Sequence, residues 1–340
     1  MNVPGGPHPR GGPVGPIAQA ARAAGATAVG ATAPLATGAN ESAPMRVRDV
    51  VDLLLLAALW GGSFLFMRIG APQFGAIPMA GLRTGIAALV LVGVMLWRGK
   101  IRELGIAPWR LFTTGLVSSA IPFVCFGFAA ISLKAGFLAI LNATAPFWGA
   151  LVAFVWLGDR LTKLRVAGLM VGFAGVVVLV WGKLSFDAGG AGPAIIAALL
   201  ATLCYGIAAN YAKRYLAGIG SQASAAGSQI GATVAITPLA VAFWPTVMPD
   251  LTAWLAVIAM AVLCTALAYL LYFRLILRVG ATRTIAVTFL IPAFGMFWGW
   301  VFLGEEVTAN MVAGTIVILL GTALTTGLIG PLPAPRKRVV

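Results

Sequence analysis

Charged residues are scarce in this sequence: Asp, Glu, Lys and Arg together make up 9% of its 340 residues, against about 25% in ordinary soluble domains. Hydrophobic residues make up 60%. A water-facing surface needs polar side chains to cover it, so this composition excludes a soluble globular protein. It indicates an integral membrane protein that crosses the bilayer several times.

Histidine and cysteine are also rare, which limits the available chemistry. The single histidine, His8, lies near the start of the chain, and Cys125, Cys204 and Cys264 each lie inside an apolar run. Such cysteines are typical of small core side chains rather than of disulfides or metal clusters. An intramembrane enzyme would need a nucleophile with a base, or an acidic dyad, within the apolar stretches. The sequence therefore predicts no catalytic residue, metal or cofactor, and hence no enzyme.

Basic residues outnumber acidic ones by 23 to 9, which gives a formal net charge of +14. No polar segment interleaves Lys and Arg with stacking aromatic residues, so nucleic acid is not an expected partner. Basic loops that flank membrane helices produce the same excess. The expected partners are the lipid bilayer and a small-molecule substrate.

Ten apolar stretches have close to the 20 residues that cross a bilayer as a helix. They are residues 50–69, 78–97, 111–132, 136–157, 163–182, 192–212, 224–244, 252–273, 281–303 and 309–329. The connections between them are short, and the longest runs from Arg98 to Arg110. The predicted fold is therefore an all-α integral membrane protein with ten transmembrane helices.

The distribution of basic residues predicts the orientation. With the N-terminus in the cytoplasm, 17 Lys and Arg residues fall on the cytoplasmic side, and only Arg68, Lys134 and Lys183 fall on the other. Cytoplasmic loops carry the excess of Lys and Arg in membrane proteins. Both termini are thus expected in the cytoplasm.

Four segments are predicted along the chain. Residues 1–44 are mostly Gly, Pro and Ala, a composition that cannot bury enough apolar surface to offset its ordering entropy. They are expected to form a disordered tail. Residues 45–187 and 188–330 are predicted as two five-helix units, and residues 331–340 as a basic cytoplasmic tail.

The two halves align at an offset of about 146 residues. Residues 157–162, Leu-Gly-Asp-Arg-Leu-Thr, match residues 303–308, Leu-Gly-Glu-Glu-Val-Thr, and Trp60-Gly61 matches Tyr205-Gly206 at an offset of 145. Five helices per unit is an odd number, so the second copy enters the membrane from the opposite side. Inverted repeats are typical of secondary transporters, which bind substrate near the midplane between the repeats.

These residues resemble the EamA-type unit of the drug/metabolite transporter superfamily. The resemblance rests on Trp60-Gly61, Arg83, Pro146 and residues 157–162 in the first half, and on residues 303–308 in the second. It covers about residues 50–329, and Asp159 departs from it by standing where Glu is more usual. Similar proteins export amino acids and related metabolites from bacteria, whereas others move nucleotide sugars or sugar phosphates.

Polar and aromatic residues inside the apolar stretches are the candidate substrate site. An amide or hydroxyl that faces lipid is costly, so such groups are expected to face protein or a wet cavity. Pro146 and Pro292 each free the carbonyl four residues earlier, on Asn142 and Thr288. For each polar residue, a helix–helix hydrogen bond is the alternative. The predicted substrate-binding residues are Trp60, Arg83, Phe123, Asn142, Tyr205, Tyr269, Thr288 and Trp298.

Arg83 admits two interpretations. It lies five residues past Pro78, shallow enough for its long side chain to reach the lipid headgroups. Alternatively, its guanidinium faces the bundle and anchors a substrate carboxylate.

The leading functional hypothesis is a secondary transporter that exports small metabolites across the bacterial inner membrane by alternating access. Amino acids with aromatic or apolar side chains are favoured as substrates. Acidic residues are absent between Leu53 and Met67, which disfavours a proton-coupled exporter of cations. A sugar-phosphate or nucleotide-sugar carrier is the alternative within the same class. Such a carrier would need several basic residues at mid-depth, and only Arg83 is a candidate. A structural or sensor membrane protein is the alternative without transport.

Overall fold

The computed structural model of the protein describes residues 45–182, 185 and 190–328. Within this part of the chain every regular element is helical, which confirms the all-α prediction. The predicted tails, residues 1–44 and 331–340, lie outside the described residues. Ten apolar helices are numbered here in chain order: α1 Val47–Phe74, α2 Ala76–Trp97, α3 Pro108–Ser132, α4 Ala135–Leu157, α5 Lys163–Val180, α6 Gly192–Tyr215, α7 Ser221–Ala242, α8 Leu251–Val279, α9 Val287–Leu303 and α10 Ala309–Thr326.

Nine of these helices are long and apolar enough to cross a membrane, and α9 is shorter, with 17 residues. A separate turn of helix, Ala281–Thr284, precedes α9. The sequence placed one continuous span at residues 281–303, and the structure breaks it at Ile285 and Ala286.

Helices α1 and α8 are longer than predicted, and charged residues at one end of each helix pair with one another. Asp49 and Asp52 near the start of α1 are buried and form ion pairs with Arg274 and Arg278 near the end of α8. The Arg278 Nη2 to Asp49 Oδ1 distance is 2.9 Å. This end of the bundle, where α1 begins, is called the N-terminal end below.

The motif at residues 157–162 and its copy at 303–308 each end one helix and start the next. Gly158 and Gly304 have φ angles of 68° and 62°, the left-handed conformation that glycine adopts at helix ends. The Thr162 and Thr308 side chains accept hydrogen bonds from backbone N–H groups of the following helix. These residues shape the connections, as helix caps do in general.

The first helix of each repeat packs against the fourth helix of the other repeat. A Cβ at Gly61 of α1 would lie 2.7 Å from the Phe294 Cβ of α9, and one at Gly206 of α6 would lie 2.7 Å from the Gly149 nitrogen of α4. Both contacts are closer than real Cβ atoms allow. Glycine is therefore required at both crossings, and the two halves of the chain interlock.

Small residues also allow close packing elsewhere. Gly172 of α5 and Gly321 of α10 meet so closely that a Cβ at Gly321 would lie 2.5 Å from the Gly172 Cα. A Cβ at Gly81 of α2 would lie 3.0 Å from the Ala240 Cβ of α7. These close contacts agree with the enrichment of small residues at membrane helix interfaces.

Candidate functional site

A cavity lies inside the bundle, where residues of α1, α2, α3, α4, α6, α8 and α9 meet. It offers about 70 Å³ to the centres of water-sized molecules. This volume has room for several water molecules, since one water needs roughly 10–15 Å³ on that measure. Both repeats contribute to the lining: Trp60, Ser63, Phe64, Met67, Arg83, Ser118, Phe123, Phe126, Asn142, Tyr205, Cys264, Thr265, Tyr269, Thr288 and Ile291.

Seven of the eight predicted site residues line this cavity, and their role in binding substrate stays a prediction. They are Trp60, Arg83, Phe123, Asn142, Tyr205, Tyr269 and Thr288. The expectation for Trp298 does not hold, because this residue is not part of the lining. Its indole Nε1 donates to the Ala58 carbonyl oxygen at 3.0 Å, so Trp298 joins α9 to α1 instead.

The two repeats contribute to the cavity through matched residues. Four pairs of repeat mates contribute to its lining, namely Trp60 with Tyr205, Ser118 with Cys264, Phe123 with Tyr269, and Asn142 with Thr288. Each pair has one member in each half of the chain. A site of this kind belongs to both repeats, so a movement of one against the other changes its shape.

Aromatic contacts beside the cavity follow the same symmetry. The Trp60 ring lies 5.4 Å from the Tyr272 ring, and the Tyr205 ring lies 6.1 Å from the Phe126 ring, measured between centroids. Tyr272 and Phe126 are 146 residues apart in the sequence. These contacts connect α1 to α8 and α6 to α3, so each joins one repeat to the other.

Helices α3 and α8 each contain a π-helical turn at corresponding positions, Leu116–Ala120 and Val262–Leu267. Such turns replace the regular hydrogen-bond ladder locally and are frequent at functional sites. They place the hydroxyls of Ser119 and Thr265, which are repeat mates, toward helices of the other repeat. Their positions cannot be seen in the spacing of apolar residues.

Each of these hydroxyls accepts a hydrogen bond from the second helix of a repeat. Arg83 Nε on α2 donates to Thr265 Oγ1 at 3.0 Å, and Gln229 Nε2 on α7 donates to Ser119 Oγ at 2.8 Å. Arg83 and Gln229 are repeat mates at an offset of 146. The two hydrogen bonds correspond in position, but only one of the two donors, Arg83, is charged.

Arg83 is buried within the bundle, with 5% of its surface exposed. Its Cζ lies 3.7 Å from the centroid of the Phe123 ring, a cation–π contact. Its Nη1 has no hydrogen-bond partner. The interpretation that Arg83 reaches the lipid headgroups is therefore wrong, because its neighbours on α3 and α8 enclose it.

Helix α4 is interrupted at Ala143 and Thr144, directly after Asn142. Pro146, four residues past Asn142, has no N–H to donate to the Asn142 carbonyl. The Ala143 carbonyl accepts a hydrogen bond from Thr322 Oγ1 at 3.3 Å, and Thr144 Oγ1 donates to Thr202 Oγ1 at 3.1 Å. Hydroxyls from α10 and α6 thus support the interruption. The Asn142 side chain lines the cavity beside it.

Other polar side chains donate their hydrogen bonds to backbone carbonyls. Thr288 Oγ1 donates to the Ile285 carbonyl at 2.8 Å, and Ser63 Oγ donates to the Trp60 carbonyl at 2.8 Å. Their oxygen lone pairs stay available to a guest in the cavity. Asn210, in contrast, donates to the Gly149 carbonyl of α4 at 2.9 Å, so it serves as a helix–helix bond.

None of the side chains that line the cavity is acidic. Asp49 and Asp52 are paired with arginines at the N-terminal end. Glu305 lies at the opposite end, where its Oε1 accepts from the Ala135 N–H at 3.0 Å. Arg83 is therefore the single charged side chain of the lining.

The sequence reasoning missed several lining residues, among them Ser118, Phe126, Cys264 and Thr265. Repeat symmetry offered a signal for one of them: Phe126 is the mate of Tyr272, an aromatic residue beside a predicted site residue. The remaining residues carry small or uncharged side chains that look like ordinary helix interior. Their exposure to the cavity depends on how the helices rotate about their axes.

An interlocked bundle of two inverted repeats, with a mid-bundle cavity shared by both, defines a membrane carrier of small molecules. The family comparison agrees. The EamA-like transporter family matches residues 50–181 and again residues 192–327, which together make up most of the chain. The protein belongs to the EamA-like transporter family.

Two relatives that match over most of their length are also described as transporters. The chain is 26% identical over 290 residues to the uncharacterized transporter YvbV of Bacillus subtilis (strain 168), covering 82% of this chain and 92% of the relative. It is 25% identical over 307 residues to the uncharacterized inner membrane transporter YedA of Escherichia coli (strain K12), covering 87% and 97%. A protein of known crystal structure matches with a TM-score of 0.60 at 21% identity, covering 84% of this chain and 98% of the other. That likeness shows the fold alone.

Proposed function

We propose that the protein exports amino acids with apolar or aromatic side chains across a bacterial inner membrane by alternating access. The observation that carries this proposal is the cavity between the repeats. Aromatic rings and uncharged oxygen and nitrogen atoms dominate its lining, and mates from both repeats face it. Such a lining suits a small guest with an apolar body and a few polar groups.

The charge distribution supports a cytoplasmic N-terminus. At the N-terminal end, the described connections and the helix ends beside them carry basic residues, such as Arg98, Lys100, Arg110, Arg160, Lys163 and Lys213. At the opposite end, the connection between α9 and α10 carries Glu305 and Glu306. Since cytoplasmic loops hold the excess of Lys and Arg, the N-terminal end faces the cytoplasm.

Counterflow in proteoliposomes tests the proposal. Purified protein is reconstituted into vesicles loaded with unlabelled phenylalanine or leucine, and uptake of the labelled amino acid is followed. Tyr205→Ala, which alters the cavity, is expected to lower the initial rate at least tenfold. Tyr211→Ala is the matched control, because Tyr211 is on the same helix, contacts Trp156 and Tyr215, and does not line the cavity.

Two results would count against the proposal. Exchange of sugar phosphates or nucleotide sugars without exchange of any amino acid would favour the alternative carrier class. Equal rates for Tyr205→Ala and wild type would show that substrate does not pass this cavity.

A further inference from the structure

We propose that the cavity recognises its substrate by a carboxylate held on Arg83, and that an α-amino group is not required. The inference rests on the proposed function and narrows its substrate class. The expected substrates are small monocarboxylates with an apolar or aromatic body, of which amino acids are one kind. Amines and amides with the same body are excluded.

Arg83 gives the cavity a net positive charge. A guanidinium stays protonated in proteins, so Arg83 brings a permanent positive charge into the bundle. None of the described ion pairs involves it, and the acidic groups of the described chain lie toward the helix ends. Burial of an unpaired charge is costly. An anionic guest would restore neutrality.

The Arg83 guanidinium is held so that one edge of it has no partner. Its Nε is occupied by Thr265 Oγ1 at 3.0 Å, and Phe123 covers one face of the group at 3.7 Å. Nη1 has no partner, and no hydrogen bond from Nη2 to the described residues is present. The edge formed by the two Nη atoms is therefore free. This edge offers two parallel N–H donors, which match the two oxygens of a carboxylate.

Aromatic side chains form much of the cavity wall around Arg83. Trp60, Phe64, Tyr205 and Tyr269 also line the cavity, and aromatic rings present large apolar surfaces. A guest whose carboxylate contacts Arg83 would place its remaining atoms among these rings. The modest cavity volume favours a small body, because a larger one would require the walls to move apart.

An ammonium group gains little binding free energy in this cavity. The oxygen acceptors that line it, such as Asn142, Ser63 and Thr288, are neutral. Arg83 adds a like charge that repels a second cation in the same space. The α-amino group of an amino acid is thus tolerated without being needed.

The repeat mate of Arg83 limits the number of carboxylates to one. Gln229 occupies the equivalent position in the second repeat, is buried, and donates to Ser119 Oγ. It carries no charge and does not line the cavity. A dicarboxylate would therefore leave its second anionic group without a cation.

Binding of four compounds with the same phenyl body tests the inference: 3-phenylpropanoate, phenylalanine, phenylalaninamide and 2-phenylethylamine. Dissociation constants are measured on the purified full-length protein in detergent by quenching of tryptophan fluorescence. We expect both carboxylates to bind, and the amide and the amine to bind at least tenfold more weakly. Arg83→Gln should weaken both carboxylates at least tenfold, and Arg83→Lys should retain part of the affinity.

The outcomes separate this inference from the proposed function. Carboxylate-selective binding without counterflow would support the site and contradict export. Counterflow of phenylalanine that persists at wild-type rate in Arg83→Gln would overturn the inference and leave export standing. Equal binding of 2-phenylethylamine and 3-phenylpropanoate, or no binding of any carboxylate, would also overturn it. If Arg83→Gln does not fold, the affinity order of the four compounds on wild type and on Arg83→Lys decides.

Discussion

Arg68 on α1 and Glu305 after α9 form an ion pair with 3.9 Å between Nε and Oε1. Their repeat mates, Lys213 and Asp159, also form an ion pair, with 3.2 Å between Nζ and Oδ2. The two pairs lie at opposite ends of the bundle, because the repeats are inverted. Each joins the first helix of one repeat to the helix connection of the other. They are matched links between the halves, one on each side of the cavity.

The two pairs differ in burial, which predicts a difference in strength. The Glu305 side chain is 11% exposed and also accepts from the Ala135 N–H at 3.0 Å, whereas Asp159 is 42% exposed. Exposed ion pairs contribute about 0–1 kcal/mol, and hydrogen bonds to charged groups contribute about 1.5–3 kcal/mol. We therefore expect Glu305→Gln to lower the melting temperature of the purified protein clearly, and Asp159→Asn to change it little. A larger effect of Asp159→Asn would contradict this.

Glycine at the crossings of α1 with α9 and α6 with α4 should be essential. Gly61→Ala and Gly206→Ala each place a Cβ under 3 Å from backbone or Cβ atoms of the facing helix. Overpacking of this kind costs about 1–3 kcal/mol, so both variants should melt at lower temperature. Gly93→Ala in α2 is the matched control, because nothing lies within 4 Å of its added Cβ. Stability of Gly61→Ala equal to that of Gly93→Ala would refute the interlocked packing.

Asp250 at the start of α8 should make stability depend on pH in acid. Its carboxylate accepts from the Ala253 N–H at 2.7 Å and from Gln73 Nε2 at 2.9 Å, and these hydrogen bonds lower its pKa below the ordinary value. A folded pKa below the unfolded one means that the stabilisation is present above about pH 3.9. It is lost as the pH falls through the lower folded value.

We therefore expect Asp250→Ala to melt below wild type at neutral pH, with the gap closing in acid. Asp250→Asn serves as the control, since Asn also caps helices and does not titrate. Melting temperatures of the three proteins between pH 7 and pH 3 test this. A gap between wild type and Asp250→Ala that stays constant over that range would show that the carboxylate does not act through its charge.

Transport should not require a proton gradient. None of the cavity-lining side chains is a carboxylate, and the buried Asp49 and Asp52 are paired with arginines. We expect proteoliposomes with an imposed pH difference, but no substrate gradient, to show no accumulation of labelled substrate. Accumulation that disappears in Asp52→Asn would identify Asp52 as a proton carrier and contradict the prediction.

The sequence predicted the repeat and, through it, most of the cavity. An offset of 146 residues pairs Asn142 with Thr288 and Phe123 with Tyr269, and polar or aromatic groups at matched depth in inverted copies must meet near one axis. Trp298 was misplaced because apolar residues surround every face of α9, so periodicity does not show which face points inward. In the folded chain, the Trp298 indole donates to the Ala58 carbonyl of α1 and does not line the cavity.

The orientation of Arg83 also depended on tertiary structure. Its depth in α2 allowed both a lipid-facing and an inward side chain, and the partners that decide between them, Phe123 and Thr265, are far away in sequence. Thr265 reaches the guanidinium from a π-helical turn. Such a turn shifts the following residues around the helix axis, and the hydropathy pattern does not show this shift.

Thr265 should act as a positioning residue for Arg83, and its repeat mate supplies the control. Thr265 Oγ1 accepts from Arg83 Nε while donating to the Met260 carbonyl at 3.1 Å, which fixes the guanidinium with its Nη edge free. In Thr265→Val the guanidinium loses this support, and a hydrogen bond to a charged group contributes about 1.5–3 kcal/mol. We expect the dissociation constant of 3-phenylpropanoate to rise about tenfold, while that of 2-phenylethylamine stays within about twofold of wild type, a tenfold change being about 1.4 kcal/mol.

Ser119→Ala removes the equivalent hydroxyl from the other repeat. It leaves Gln229 Nε2 without its partner, so it should lower the melting temperature while leaving the affinity for 3-phenylpropanoate within about twofold of wild type. A purely structural role for both hydroxyls would instead give equal losses of stability and no change in affinity for either variant. Measurement of both quantities on both variants therefore separates positioning of the cation from support of the fold, because only Thr265 contacts a group that carries charge.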